Sequence, residues 1–243
     1  MAALPRSFRQ TAWHRQRSAD QKHNRQDRIR TMNQQRVEGQ AGHVAAPSDS
    51  PAFAQWRDSF QFLRGFVRNP AQVGSIIPSS RQLEQRLVRS ARIGDARMVV
   101  ELGPGTGGTT SAFLPAMAST AQLLAIELDT EFHQRLHASI LDPRFNVELG
   151  SAERLAEFLK ARWLPAPDVI ISGIPFSTMP PDVSDRVASS VARALRPGGR
   201  FVAYQVRAHV SGFMSPYLGK PDKKWEVVNV PPVRVFTWVK PAN

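Results

Sequence analysis

Met98-Val99-Val100-Glu101-Leu102-Gly103-Pro104-Gly105-Thr106-Gly107-Gly108 runs from a short apolar, β-rich segment straight into a glycine-rich turn. Glycines at such a place let the main chain turn tightly and let a ligand approach it, and a helix that starts after the turn adds its free amides. Outward from this point, β-rich runs alternate with helical stretches. The runs are 98–102, QLLAIEL (122–128), FNVEL (145–149), DVIISGI (168–174) and RFVAYQV (200–206), followed by VVNV (227–230) and VRVFTWV (233–239). Helices are expected near 109–118, 130–141, 152–162 and 182–195, with one more from Ser80 to Ala91 that Ser79 and Gln82 would open as a capping box. Alternation of this kind specifies an α/β, Rossmann-like, doubly wound sheet of seven strands, mostly parallel, with an antiparallel hairpin at its C-terminal edge. No internal repeat is present.

Gly103, Gly105 and Gly108 also satisfy the G-x-G-x-x-G spacing of nicotinamide enzymes, so the neighbours of the loop have to decide the cofactor class. The next strand ends in Ile126-Glu127-Leu128-Asp129, which puts a carboxylate where it can accept both hydroxyls of a ribose. Asp129 is read instead as the cap of the following helix. An acid, Glu101, stands two residues before the first glycine, and Leu195-Arg-Pro-Gly-Gly-Arg200 enters a late strand. Together these residues resemble the class I S-adenosylmethionine-dependent methyltransferases over 98–206. The resemblance implies that Glu101, Gly103, Gly105 and Gly107 surround S-adenosylmethionine and that Glu127 holds its ribose. Many such enzymes carry Gly-Asp-Ala after the third strand, the Asp contacting adenine. Here the sequence is Gly150-Ser151-Ala152, so Ser151 and Ala152, with Glu153 as a substitute, are the residues expected at the adenine.

The fourth strand runs into Ser172-Gly173-Ile174-Pro175-Phe176, the expected acceptor loop, and Ser172, Gly173, Pro175 and Phe176 are the candidate catalytic positions. Enzymes that methylate adenine amines carry Asn/Asp-Pro-Pro-Tyr or Asn-Leu-Pro-Tyr at this place. Aligned on Pro175 and Phe176, this chain has Gly173 where the amine acceptor should be, which weakens a similarity to the rRNA adenine dimethyltransferases. Ser-Gly-Ile-Pro, the upstream Gly74-Ser-Ile-Ile-Pro78-Ser79-Ser80 and Asn229-Val-Pro231-Pro232-Val together resemble the bacterial soluble-type phosphatidylethanolamine N-methyltransferases, from about residue 60 to the end. That resemblance implies phosphatidylethanolamine as the substrate, an anionic phospholipid membrane as the partner, and an enzyme held peripherally at the inner face of the membrane in the cytoplasm.

The composition is compatible with this. Net charge is +12, half of which comes from the eight bases and two acids before Met32. Such a surplus suits nucleic acid or an acidic bilayer alike. No apolar run reaches the length of a membrane span, and the absence of cysteine removes disulfides, thiolate nucleophiles and Cys-based zinc sites. No metal is expected. Residues 1–50 read as a disordered basic tail, whose first part is either a genuine arm or an extension ahead of a start at Met32. Residues 51–92 read as a helical segment with a loop covering the cofactor, and 93–243 as the methyltransferase domain. Within the second, a helical spacing puts Phe53, Trp56, Phe60, Leu63 and Val67 on one stripe with Arg57, Arg64 and Arg68 along its edge, which suits either a bilayer interface or packing on the domain.

Methyl transfer to nitrogen needs a neutral lone pair in line with the sulfonium methyl, and no side-chain nucleophile. Backbone carbonyls at Ser172 and Gly173 are natural acceptors for amine hydrogens, and the Phe176 ring face suits a methylated, cationic headgroup. No clear general base stands out. Tyr204 and His209 follow the fifth strand, Tyr217 in the Met214-Ser-Pro-Tyr loop is a candidate pocket wall, and Lys220, Lys223 and Lys224 either receive lipid phosphate or are simply solvated. Two further readings stay open: an rRNA adenine methyltransferase with RNA as its substrate, and a methyltransferase-like binding module without catalysis.

Overall fold

The structure, a computed structural model, describes residues 80–226 and 232–242. The basic tail, the aromatic stripe from Phe53 to Val67, the Gly74–Ser79 loop and the expected strand at 227–230 lie outside the described residues. Helix α1 (Arg81–Ala91) starts at Ser80, whose hydroxyl accepts the Leu83 amide at 3.1 Å, so the cap is one residue later than the Ser79–Gln82 box would put it. Strand β1 (Met98–Leu102) and helix α2 (Gly108–Ala116) follow, then β2 (Gln122–Glu127), α3 (Thr130–Ser139), β3 (Phe145–Leu149) and α4 (Leu155–Ala161). The second half comprises β4 (Val169–Ser172), α5 (Pro181–Ala194), β5 (Arg200–Gln205), α6 (His209–Leu218), β6 (Asp222–Glu226) and β7 (Val233–Val239).

The strands form one seven-stranded sheet in the order β3-β2-β1-β4-β5-β7-β6. The first five are parallel, and β7 runs antiparallel to both β5 and β6. This is the doubly wound sheet with an antiparallel edge that the alternating runs specify. Its two faces are separately covered. Leu83 and Leu87 of α1 and Phe113 of α2 pack with Val99, Leu123 and Val202 on one face, and Phe158, Val187 and Met214 of α4, α5 and α6 pack with Val100, Ile170 and Phe201 on the other.

Two elements differ from the sequence expectation. The outer strand is Asp222–Glu226, Lys-rich and exposed, with a lysine ammonium of Lys223 5.9 Å from the Phe236 ring and the Arg234 guanidinium 4.2 Å from the Trp225 ring. An edge strand exposes its unpaired main chain to solvent, where charged side chains discourage further pairing, so it lacks the apolar signature that made 227–230 look like the strand. The Met214-Ser-Pro-Tyr217 segment is helical, the C-terminal half of α6. Pro216 comes late in this ten-residue helix, and burial of Val210, Met214 and Leu218, four residues apart, holds the helix together across it.

Helix α3 has the cap foreseen for it. Asp129 accepts the amides of Glu131 at 2.8 Å and Phe132 at 3.1 Å. Asp129→Ala is expected to lower stability by about 1 kcal/mol, which for a chain of this size corresponds to a fall in Tm of about 2–4 °C. A calorimetric Tm within 1 °C of the parent, on the order of experimental error, would mean that the cap contributes little.

Candidate active site

The order β3-β2-β1-β4-β5 reverses direction between β1 and β4. In a doubly wound sheet the loops leave such a point to opposite faces, opening a crevice at the C-terminal strand ends. Here that edge brings together the glycine loop after β1, Glu127 at the end of β2, Gly150-Ser151 after β3, Gly173 after β4 and Tyr204 near the end of β5. A cleft there is lined by Gly103, Glu127, Leu128, Gly150, Ser151 and Ala152, with Ile126 and Ile174 as its apolar walls.

Gly103, Gly105 and Gly107 all have φ between +57° and +84°, the left-handed region where a Cβ is strained. Gly105 has nothing within 4 Å of the place a Cβ would take, so its main chain is open to an approaching ligand. Gly107 is constrained from the other side, because a Cβ there would stand 2.7 Å from Leu136 Cδ2. Glu127 is 1% exposed and closes the cleft: one carboxylate oxygen accepts the Gly105 amide and the other the Asp129 amide, each at 2.9 Å. Burial raises its pKa, against the lowering effect of those main-chain hydrogen bonds. A carboxylate fixed in this way at the head of an open glycine turn fits the ribose end of S-adenosylmethionine.

Glu101 is 1% exposed and sits beneath the loop. Its carboxylate accepts the hydroxyls of Thr109 and of Thr110, the latter at 2.6 Å, and so ties β1 to the first turn of α2. Burial pushes its pKa up to about 7, with Glu127 adding to the rise and the two threonines opposing it. On the other side of the cleft, Ser151 donates to Glu153 at 3.0 Å and accepts the Glu153 amide at 3.2 Å, while Glu153 pairs with Arg186 of α5. The two residues weighed for adenine recognition are thus joined to each other. The turn beside them needs its glycine, since a Cβ on Gly150 would meet the Phe158 ring at 2.7 Å.

The acceptor loop is held internally. Ser172 is fully buried and its hydroxyl accepts the Ile174 amide at 3.2 Å, while the Ile174 carbonyl accepts from the Gln205 side chain and from the Phe176 amide. Gly173 has no room for a side chain: a Cβ would stand 2.5 Å from the Tyr204 hydroxyl and 3.1 Å from the Gly103 carbonyl oxygen. The place a side chain would occupy in an Asn/Asp-Pro-Pro-Tyr loop is therefore filled by the hydroxyl of a residue from another strand, a link that position-by-position reading of the loop missed.

Two substrate-side expectations change. Phe176 is 2% exposed, packed in the core with its ring centroid 6.2 Å from that of Phe213, so its face is covered and does not meet the cleft. An apolar ring after β4 gains more from that core than from an open cleft. Tyr217 points from α6 to α5, donating to Asp185 at 3.1 Å, which makes it a strut between helices instead of a pocket wall. Lys223 and Lys224 lie on strand β6, with Lys224 3.4 Å from Asp222, and Lys220 is exposed just before that strand. Pro175 is half-buried beside Ile174, and His209 is exposed at the start of α6. Among the described residues no His/Asp/Glu cluster suited to a metal ion occurs and no helix is long and apolar enough to cross a membrane.

Comparison with known proteins agrees with this geometry. Residues 99–199 match the family model described as a methyltransferase domain. The chain is 30% identical over 146 residues to an ornithine lipid N-methyltransferase of Singulisphaera acidiphila, covering 60% of this chain and 76% of that protein. It is 32% identical over 120 residues to the ribosomal RNA small subunit methyltransferase A of Thermotoga neapolitana, covering 47% of this chain and 41% of the relative, less than half its length. Its fold is similar to that of the N-methyltransferase NodS of Bradyrhizobium japonicum WM9 solved with S-adenosyl-L-homocysteine, at a TM-score of 0.60 and 14% identity over 75% of this chain and 98% of that one. The glycine turn, the buried strand-two carboxylate and the sheet order thus meet a relative covered over most of its length, and the chain belongs to the class I S-adenosylmethionine-dependent methyltransferases.

Proposed function

We propose that the chain transfers methyl groups to the primary amine of a phospholipid headgroup, converting phosphatidylethanolamine toward phosphatidylcholine at the cytoplasmic face of an anionic membrane. The observation that carries this reading is the acceptor loop: with Gly173 closed to any side chain, no amide or carboxylate stands there to receive an adenine amine. An aliphatic amine makes a smaller demand. It has to be positioned, stripped of its proton and kept from water. The relative that acts on ornithine lipid points to the same class of acceptor, an amine at a lipid surface.

S-adenosylmethionine, when bound, supplies an electrophilic methyl group. Gly103, Gly105 and Gly107 would cradle it, Glu127 would hold its ribose, and Ser151 with Ala152 would border its adenine. On the acceptor side, Gln205 and the Ser172 hydroxyl fix the main chain at Ile174, and the Ser172 and Gly173 carbonyls just before it would accept the amine hydrogens. At the membrane, the aromatic stripe from Phe53 to Val67 with Arg57, Arg64 and Arg68 would lie in the interface, and Lys220, Lys223 and Lys224 would meet lipid phosphate.

A second reading, methylation of an adenine amine in ribosomal RNA, is favoured by the RNA-acting relatives and by the basic tail. Transfer of radiolabelled methyl, offered in parallel to vesicles of phosphatidylethanolamine with phosphatidylglycerol and to unmodified ribosomal RNA, separates the two. Label is expected in the organic phase; label in RNA alone would replace the lipid reading by the RNA one.

A further inference from the structure

Three polar side chains connect the acceptor loop to the interior. Tyr204 of β5 brings its hydroxyl against Gly173, where it stands 2.5 Å from the position of a Cβ. The same hydroxyl lies close enough to Thr109, in the first turn of α2, for the threonine hydroxyl to act on its ionisation. Thr109 in turn donates to Glu101 of β1, whose second oxygen is taken by Thr110. Tyr204 is half-buried and Glu101 fully buried, so the series runs from the acceptor side of the loop to a carboxylate with no direct access to water. The charges acting on its two ends are acidic: Glu127 of β2 acts on both, and Glu101 acts on Tyr204.

We propose that Tyr204, Thr109 and Glu101 form a proton relay that takes the proton of the acceptor's ammonium group, so that the nitrogen reacts as a free amine. The inference rests on the amine-acceptor reading above. The ammonium proton passes to Tyr204 Oη as the tyrosine proton passes to Thr109 Oγ1 and the threonine proton to a Glu101 oxygen. The result is a neutral amine, two unchanged hydroxyls and a protonated Glu101, which returns its proton between turnovers by the reverse path, through Thr109 and Tyr204 to water in the emptied acceptor site. Burial and the neighbouring acids raise the tyrosine pKa, so Tyr204 remains a phenol and conducts the proton without storing it. Glu101, with its pKa pushed up to about 7, can both hold and release a proton near neutrality. Glu101 and Thr109 act through Tyr204 and are positioning residues; Tyr204 alone faces the amine.

The test is the pH dependence of kcat with vesicles of phosphatidylethanolamine and phosphatidylglycerol, together with calorimetric binding of S-adenosylmethionine. In the parent chain kcat is expected to rise with pH through about 7, as Glu101 ionises and becomes able to accept, and then to level. Tyr204→Phe should lower kcat at neutral pH by roughly 30-fold, just below the range of positioned acid–base groups because water replaces part of the lost path. Its profile should keep rising with pH as free amine forms in solution, and its affinity for S-adenosylmethionine should stay within about twofold. Thr109→Val should lose the same inflection, and Thr109→Ser, which keeps the hydroxyl, should retain it. A Tyr204→Phe chain within about threefold of the parent at every pH, inflection included, would overturn the relay while leaving the lipid reading intact.

If the parent methylates no vesicle, the lipid reading fails and the relay is decided without substrate, by isotope-edited infrared titration of the carboxyl groups. A protonated carboxyl band absent in Glu101→Gln, lost with a midpoint near 7 in the parent and at a different pH in Tyr204→Phe, sustains it. A Glu101 already ionised in mild acid, or a midpoint indifferent to Tyr204, refutes it.

Discussion

Glu127→Ala is expected to weaken binding of S-adenosylmethionine by at least ~100-fold, measured by isothermal titration calorimetry on the full chain. The magnitude follows from the chemistry of the group replaced. Hydrogen bonds to a charged acceptor are each worth about 1.5–3 kcal/mol net, and a ribose offers two hydroxyls to one carboxylate. Glu127 is well prepared for this: it is buried and already held at both oxygens by the amides of Gly105 and Asp129. The same two amides lose their acceptor in the alanine variant, so the glycine turn loosens as well as the ribose contact. Glu127→Gln, which keeps one carbonyl acceptor in the same volume, should fall between the two, roughly tenfold weaker than the parent. An alanine variant that is folded by circular dichroism and binds within about threefold of the parent would remove Glu127 from the cofactor site.

That carboxylate was legible in the sequence because two local rules coincide on it: it ends a β-rich run, and the residue two places on caps a helix. The glycine loop and the mostly parallel sheet were readable for the same kind of reason, since strand and helix periods and turn chemistry are local properties. The acceptor side was less readable. Phe176 as a letter after Pro175 looks like a stacking ring, and only the packing against Phe213 tells that it faces inward. Gly173 as a letter looks like a lost amine acceptor, whereas the Tyr204 hydroxyl, 31 positions on in the chain, stands in its place. Helix α6 was hidden by its Ser-Pro step and β6 by its lysines, both cases in which a tertiary partner outweighs local preference.

The contact between Gly173 and Tyr204 leads to the second large effect. Gly173→Ala would set a methyl group 2.5 Å from Tyr204 Oη, 3.1 Å from the ring carbon bearing that hydroxyl and 3.1 Å from the Gly103 carbonyl oxygen. Neither side yields easily. The Tyr204 ring packs against the core face that holds Val99, Phe113 and Val202, and Gly103 is fixed by the hydrogen bond that its N–H donates to the Ile126 carbonyl at 2.9 Å. Overpacking of this kind costs about 1–3 kcal/mol, so Tm should fall by about 2–12 °C. Activity should fall much further, to about a thousandth of the parent or less, because the displaced groups belong to the glycine loop and the acceptor loop at once, and misplacement by about 1 Å can already cost 10²-fold at one of them. Adding Tyr204→Phe separates the two effects. Loss of the hydroxyl relieves the 2.5 Å contact but leaves the two at 3.1 Å, so stability should recover in part. Methylation of vesicles should recover no further than about a thirtieth of the parent, since the group expected to take the amine proton has gone with the clash. Recovery of methylation beyond that level would mean that Tyr204 acts at Gly173 only by its bulk, and that the acceptor loop does its work without the tyrosine hydroxyl.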